Sequence, residues 1–170
     1  MKNREWIIYT LRHRRAFEYC VRHLVTEPVL REEMLRRARI HDMDKVIMYL
    51  FMEQQEAQKI HMSTRAHHLE NSILKSHGDL VEAVIDYECA PYTKPDKPMN
   101  AYELIEMVRK MNLLTQEMLD RLTDVMKELG ICRPGTFSED IEGQNYIAGL
   151  GEITDEMIRE EILTYLGEIH

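Results

Sequence analysis

The chain has 170 residues, of which 44% are hydrophobic and 31% charged, with a net charge of −8. That length supports one domain with an ordinary core. The acidic balance argues against a general nucleic-acid coat, and no run of about 18 apolar residues is present to cross a membrane. The first residues, MKNREWIIYTLRHRR, have no apolar segment of the secretory kind. Cys20, Cys89 and Cys132 are scattered, which predicts reduced thiols in a cytoplasmic protein without a disulfide framework or zinc–thiolate site.

Glycine and proline are sparse while Leu, Met, Glu, Arg and Lys dominate, so the chain is expected to be all-α. A first helix fits roughly residues 4–25, and Pro28 suits the first turn of a second, ending near Arg39. A third is expected from about Asp42 to His61, with Val46, Tyr49, Leu50 and Ala57 on one face. Ser63 or Thr64 would cap a fourth carrying RAHHLENSILK. His77-Gly78-Asp79 breaks the chain before a fifth helix that ends near Glu88.

The stretch APYTKPDKP holds three prolines and is expected to be an ordered or extended loop. Asn100 and Glu103 form a plausible capping box for a helix ending near Met111. Thr115 caps the next helix and Gly130 ends it. Residues 131–153 show no period and are expected to be irregular, as a lid, a packed loop or a flexible tail. Thr154 opens a last amphipathic helix. Together these predict a single domain: an all-α bundle whose residues 1–112 form a metal-binding helical core, with residues 113–170 packed on or beside it.

Six of the eight histidines fall between His23 and His77. His23, the pair His41-Asp42, His61, the pair His67-His68, and Asp86 come from separate predicted segments, so a bundle can bring them to one point. Imidazoles with carboxylates suit a divalent transition metal such as Mn, Fe, Co, Ni or Zn. Adjacent His and Asp reach one ion only where helix geometry loosens, and 41–42 lies at a predicted junction. His13, His77 and His170 are taken as solvated or capping residues. On a helix, neighbours at 67 and 68 would point about 100° apart, so only one of them would face an ion. Lys45 lies on nearly the same helical face as Asp42, and Arg65 offers a bidentate clamp for phosphate. Asp44 is a candidate base or acceptor, and Asn71, four residues after His67, a hydrogen-bonding support for that ring. Lys94 and Lys97 are surface lysines or contacts for an anion.

The order His, then HDMDK, then His-x5-His-His-x2-Asn, then Asp resembles the HD-domain superfamily of metal-dependent phosphohydrolases. More narrowly, it is similar to a little-characterised bacterial and phage group with H-D-x-S-K and a later His-His pair. The likeness runs from about residue 14 to 103, and Asp44 stands where serine is common. It implies an HD-like helical bundle and His23, His41, Asp42 and Asp86 as ligands of one ion. His61, His67 and His68 are available for a second ion. Lys45, Arg65 and His67 or His68 would face the phosphate of a small phosphorylated substrate such as a nucleotide, attacked by metal-activated water. The alternatives are an HD-fold di-iron oxygenase and a non-catalytic binding or regulatory module. A homodimer is compatible with either.

Overall fold

The computed structural model describes residues 3–94, 99–135 and 139–168. These form α1 (Arg4–Leu24), α2 (Pro28–Ile40), α3 (Met43–Tyr49), α4 (Gln54–Thr64), α5 (His77–Thr93), α6 (Ala101–Lys110), α7 (Gln116–Glu128), α8 (Ile141–Ala148) and α9 (Asp155–Glu168). There is no β-strand among the described residues, and no helix there is long and apolar enough to cross a membrane. The architecture is an all-α bundle.

The two central helices are α1 and α5, which pack against each other. Helix α5 buries Leu80, Val81, Ala83, Val84 and Ile85 in succession, so it is apolar nearly all round, as a central helix must be. Helix α1 buries Ile7, Leu11, Arg14, Phe17 and Val21 along one stripe and His13, Ala16 and Cys20 along another. Both stripes are covered because α1 touches α2, α3, α5 and α8.

The main core gathers Phe17, Val21, Met34, Leu80, Ile85, Ile105, Leu122 and Ile147. A smaller core joins Ile7, Leu11, Met43, Val46, Tyr49 and Ala57 to Ile153 and Ile158. The segments after residue 112 therefore contribute to both cores. Each fully buried large apolar side chain is worth about 1.5–3 kcal/mol.

Several local expectations are corrected. The predicted 42–61 helix is two helices, α3 and α4, although no Gly or Pro marks the break. The cause is distant in sequence: the Asn3 amide donates to the carbonyls of Tyr49 (3.0 Å) and Met52 (2.8 Å), satisfying groups that a continuous helix would have paired itself. The predicted helix over RAHHLENSILK is absent, and residues 65–76 run as turns and irregular chain. His77-Gly78-Asp79 does not break the chain but opens α5, behind a Ser76–Asp79 capping box. Helix α5 also continues past Glu88 through Pro91 to Thr93. Proline is tolerated in that last turn because it forfeits only one backbone bond before the helix ends. Lys97, in the rest of the proline stretch, lies outside the described residues. The expected irregular segment 131–153 contains α8, capped by Asp140, whose side chain accepts from the Gly143 N–H (2.9 Å).

Asp140 also accepts hydrogen bonds from the Tyr92 hydroxyl (2.6 Å) and the Tyr19 hydroxyl (3.2 Å), which ties α8 to α5 and α1. Gly143 makes that approach possible. A Cβ there would lie 2.5 Å from Asp140 Oδ2, 2.5 Å from Tyr92 Cε1 and 2.7 Å from Tyr19 Cε1. Gly143→Ala is expected to destabilise the fold by about 1–3 kcal/mol through overpacking. Calorimetric melting checks this, and an unchanged midpoint would contradict the tight fit.

Candidate metal centre

The site begins at the corner between α2 and α3. His41 caps α2, and Asp42 follows with φ 61°, in the left-handed region. Asp is among the few non-glycine residues that enter that region readily. The sharp turn lets adjacent side chains aim inward together, with His41 Nε2 3.9 Å from Asp42 Oδ1. Both are buried, at 2% and 4% exposure.

Around this corner stand His13 from α1, His61 from α4, His67 and His68 from the loop after α4, and Glu82 and Asp86 from α5. His13 Nε2 is 2.7 Å from Asp86 Oδ1, and His41 Nε2 is 3.6 Å from the same oxygen. Asp42 Oδ1 lies 3.0 Å from His61 Nε2 and 3.8 Å from His67 Nε2. The other oxygen of Asp42 pairs with Lys45 Nζ.

The orientation of the rings carries a clear pattern. His41 Nδ1 faces Glu82 Oε1 at 3.0 Å, His67 Nδ1 faces the same oxygen at 3.1 Å, and His61 Nδ1 faces Asp44 at 2.9 Å. Each carboxylate fixes a ring through Nδ1 and turns its Nε2 toward the centre. There the Nε2 atoms of His41, His61, His67 and His68, with Asp42 Oδ1, are buried, and apart from the 3.0 Å approach of His61 Nε2 to Asp42 Oδ1 they face no hydrogen-bond partner. Buried polar atoms are ordinarily paired, so this gathering of donor and acceptor atoms at one place fits a cation. Ligand atoms of His61, His67 and His68 lie within 4.8 Å of one another, as do those of His13, His41 and Asp42, and of His41, His67 and Asp86. These buried groups can hold a metal.

Charge is strongly coupled here. Burial opposes the charged form of His41, but Asp42, Asp86 and Glu82 outweigh it and push its pKa up to about 10. Burial and the neighbouring His67 and His61 push His68 down to about 3, so its ring is neutral at pH 7. Burial would raise Asp44, but His61 and Arg65 hold it down at about 2. The stabilisation from charged His41 is complete below the ordinary imidazole pKa and is lost as pH climbs through about 10. A metal must displace that proton, so uptake at neutral pH is expected to release protons and to tighten as pH rises. An indicator dye in weak buffer reads this directly, and metal uptake without acidification would contradict it.

His23 is the one expected ligand that the fold leaves out. It lies ten residues beyond His13, about 15 Å along α1, exposed, stacked on Tyr19, with Nδ1 2.8 Å from the Tyr19 carbonyl. His13, read from sequence as a solvated residue, is buried on the inner stripe in its place. His41, Asp42, His61, His67 and Asp86 are brought together, with His68, Lys45 and Asp44 beside them. Because 67 and 68 sit on a loop, the helical limit on adjacent side chains does not apply, and both rings face the cluster 4.4 Å apart. Arg65 Nε donates to Asp44 Oδ2 (2.7 Å), so it buttresses His61 through that carboxylate.

Asn71 does not touch His67. Its amide donates to the carbonyls of Met62 (2.8 Å) and Arg65 (2.7 Å), holding the loop that carries the His pair. Lys75, which is buried, donates to Asn71 Oδ1 (2.5 Å) and the His68 carbonyl (2.6 Å), and Arg121 on α7 donates to the Lys75 carbonyl (2.8 Å). Lys75→Met leaves the His68 carbonyl unpaired and Asn71 Oδ1 with only the Ile73 N–H, at about 1–3 kcal/mol. The expected result is a folded protein that retains less metal after dialysis, checked by elemental analysis beside circular dichroism. Undiminished retention would show that Lys75 does not set the loop.

Glu82 was not singled out from sequence, yet it orients two rings. It is four residues before Asp86 on α5, which puts both carboxylates on one helical face. Arg37 completes the support, donating to Glu82 (2.9 Å), Asp79 (2.8 Å) and Glu33 (2.9 Å).

Two cavities reach the cluster. One, of about 480 Å³, is lined by Trp6, Tyr9, His13, Lys45, His68 and Lys94 among others. The second, of about 250 Å³, is lined by His41, His67, Arg37, Arg65, Asp79 and Glu82 among others. Asp42 lines both. A further depression of about 540 Å³, over Gln55, Lys59 and Glu70, touches none of the clustered groups.

No family model matches the chain, and no curated protein or solved structure matches it.

Proposed function

We propose that the protein is a metal-dependent phosphohydrolase acting on a nucleotide or another small phosphate ester. The observation that carries this reading is the set of buried Nε2 atoms gathered around Asp42 Oδ1, of which His68 and Asp42 line a cavity that also presents Lys45 and Lys94. The sequence resemblance to the HD-domain superfamily supports it independently.

The donor set fits two divalent transition-metal ions such as Mn, Fe, Co, Ni or Zn. His13, His41 and Asp42 would hold one, with Asp86 against both of those rings, and His61, His67 and His68 the other. Such ions supply Lewis acidity and a water acidified toward neutrality.

The chain itself does the rest. Glu82 and Asp44 hold three imidazoles in register, so little reorganisation is needed when charge develops. Lys45 neutralises Asp42 and lines the larger cavity, where an ammonium complements a phosphoryl group. Lys94 sits 4.9 Å above the Tyr9 ring and brings a second positive charge to the same space. Trp6 and Tyr9, edge to face at 6.2 Å, form an aromatic wall for the organic part of the ester. The volume is within the range of small-molecule sites.

The test is metal quantification on the purified protein, then a panel of phosphate esters with Mn, Co, Ni and Fe. Metal-dependent release of phosphate, lost in His41→Ala, is the expected result. Bound metal with no hydrolysis of any ester would overturn the reading. The two-group donor set also suits an iron pair. Iron at about two per chain, with optical or paramagnetic signals and oxygen consumption, would favour an oxidative enzyme instead.

A further inference from the structure

The cluster is reached by two cavities whose linings differ in chemistry, with Asp42 in common. The larger presents two ammoniums, Lys45 and Lys94, against the carboxylates of Asp42 and Asp86. The smaller presents four carboxylates, Asp42, Asp44, Asp79 and Glu82, against two guanidiniums. Those guanidiniums are already engaged: Arg37 with Glu33, Asp79 and Glu82, and Arg65 with Asp44. Counting the His41 imidazolium with the two guanidiniums, the smaller cavity still carries four carboxylates against three cations, while the larger is balanced. The smaller also meets unpaired, buried atoms, His41 Nε2 and His67 Nε2, on residues 2% and 5% exposed.

From this we infer that the smaller cavity is a cation port: divalent metal ions reach the centre between α2, the start of α5 and the loop at 65–67, and leave the lysine-lined cavity to the anionic substrate. The inference rests on the proposed metal centre and adds a route to it. Fields from walls of one sign raise the local concentration of the opposite ion, so the two mouths sort metal from phosphate ester by charge. The smaller volume, about 250 Å³ against about 480 Å³, and the carboxylates of the port favour a bare cation over a phosphate ester there. Metal can then be exchanged while substrate or product fills the other side.

The experiment follows cobalt(II) uptake by metal-free protein through its visible absorption in a stopped-flow instrument. A cation steered by an acidic mouth loads more slowly as salt is raised, whereas passage through the charge-balanced mouth at Lys45 and Lys94 would load at a rate indifferent to salt. Ile40, exposed at the rim of the smaller cavity, allows a block. Ile40→Trp is expected to slow loading by about tenfold, on the scale by which access limits association rates among related variants, with the same final cobalt content. Lys94→Glu, at the larger cavity, is expected to leave the rate unchanged. Loading that does not slow with salt, that is unaffected by Ile40→Trp, or that is accelerated by Lys94→Glu, overturns the port while leaving the metal centre intact. Failure of the wild-type protein to bind cobalt at all overturns the centre, and the port with it.

Discussion

Asp42→Asn is expected to cost at least about two orders of magnitude in metal affinity, with the helical fold retained. Asparagine keeps the shape of the side chain and tolerates the left-handed backbone at this corner, φ 61°, better than most residues. What it loses is charge. Asp42 is buried, faces His41, His61 and His67 with one oxygen and pairs with Lys45 through the other. Removing one partner from a buried charge network costs about 3–5 kcal/mol, and each 1.4 kcal/mol is about tenfold in affinity. In the variant, His61 and Lys45 lose the carboxylate they face, and Asp86 remains beside His13 and His41. Calorimetric titration with Mn or Co, beside circular dichroism, checks this. A variant that still binds metal with wild-type affinity would mean that the ion does not sit at this corner.

Glu82→Gln is expected to lower metal affinity by about 10–100-fold, although Glu82 is not among the ligand groups around the centre. Its oxygen Oε1 receives His41 and His67 together, and its other oxygen receives Arg37. Burial would raise its pKa, but His41 and His67 hold it far below the ordinary carboxylate range. Its contribution is therefore complete above that ordinary range and disappears as pH falls through the lowered folded value. Glutamine can present its oxygen either to the two imidazoles or to Arg37, and in each case its NH2 is placed against a donor. Metal binding should weaken while Tm changes less than for a core truncation. A cobalt spectrum identical to wild type would show that the two rings need no such support.

Much of the scaffold was legible because its signals are local. The Asn100–Glu103 capping box, the Thr115 cap and Gly130, at φ 72°, all stand where sequence chemistry places them. The His41-Asp42 junction was legible for the same reason, since only a helix end lets neighbours converge. The errors come from contacts far apart in sequence. Asn3 ends α3 by reaching Tyr49 and Met52, and nothing near residue 50 announces it. His13 and His23 differ in their phase on α1: residue 13 follows the buried stripe with Ala16 and Cys20, and that phase was available to a closer count. The resemblance pointed to His23 by motif order, where burial favours His13. Glu82 was hidden because a carboxylate that orients a ring carries no spacing signature until the ring it faces is known.

The smaller core sets an order on biosynthesis. Ile7 and Leu11 are covered by α3 and α4 but also by Ile153 and Ile158. Arg14 and Arg15 on α1 likewise wait for Glu161 on α9. A nascent chain that has emerged only through α8 holds every metal-facing residue, yet keeps an uncovered apolar edge on its first helix. Release of residue 158 from the ribosome closes that edge, so premature termination in the preceding stretch would leave a chain with a complete set of donors and a surface prone to self-association.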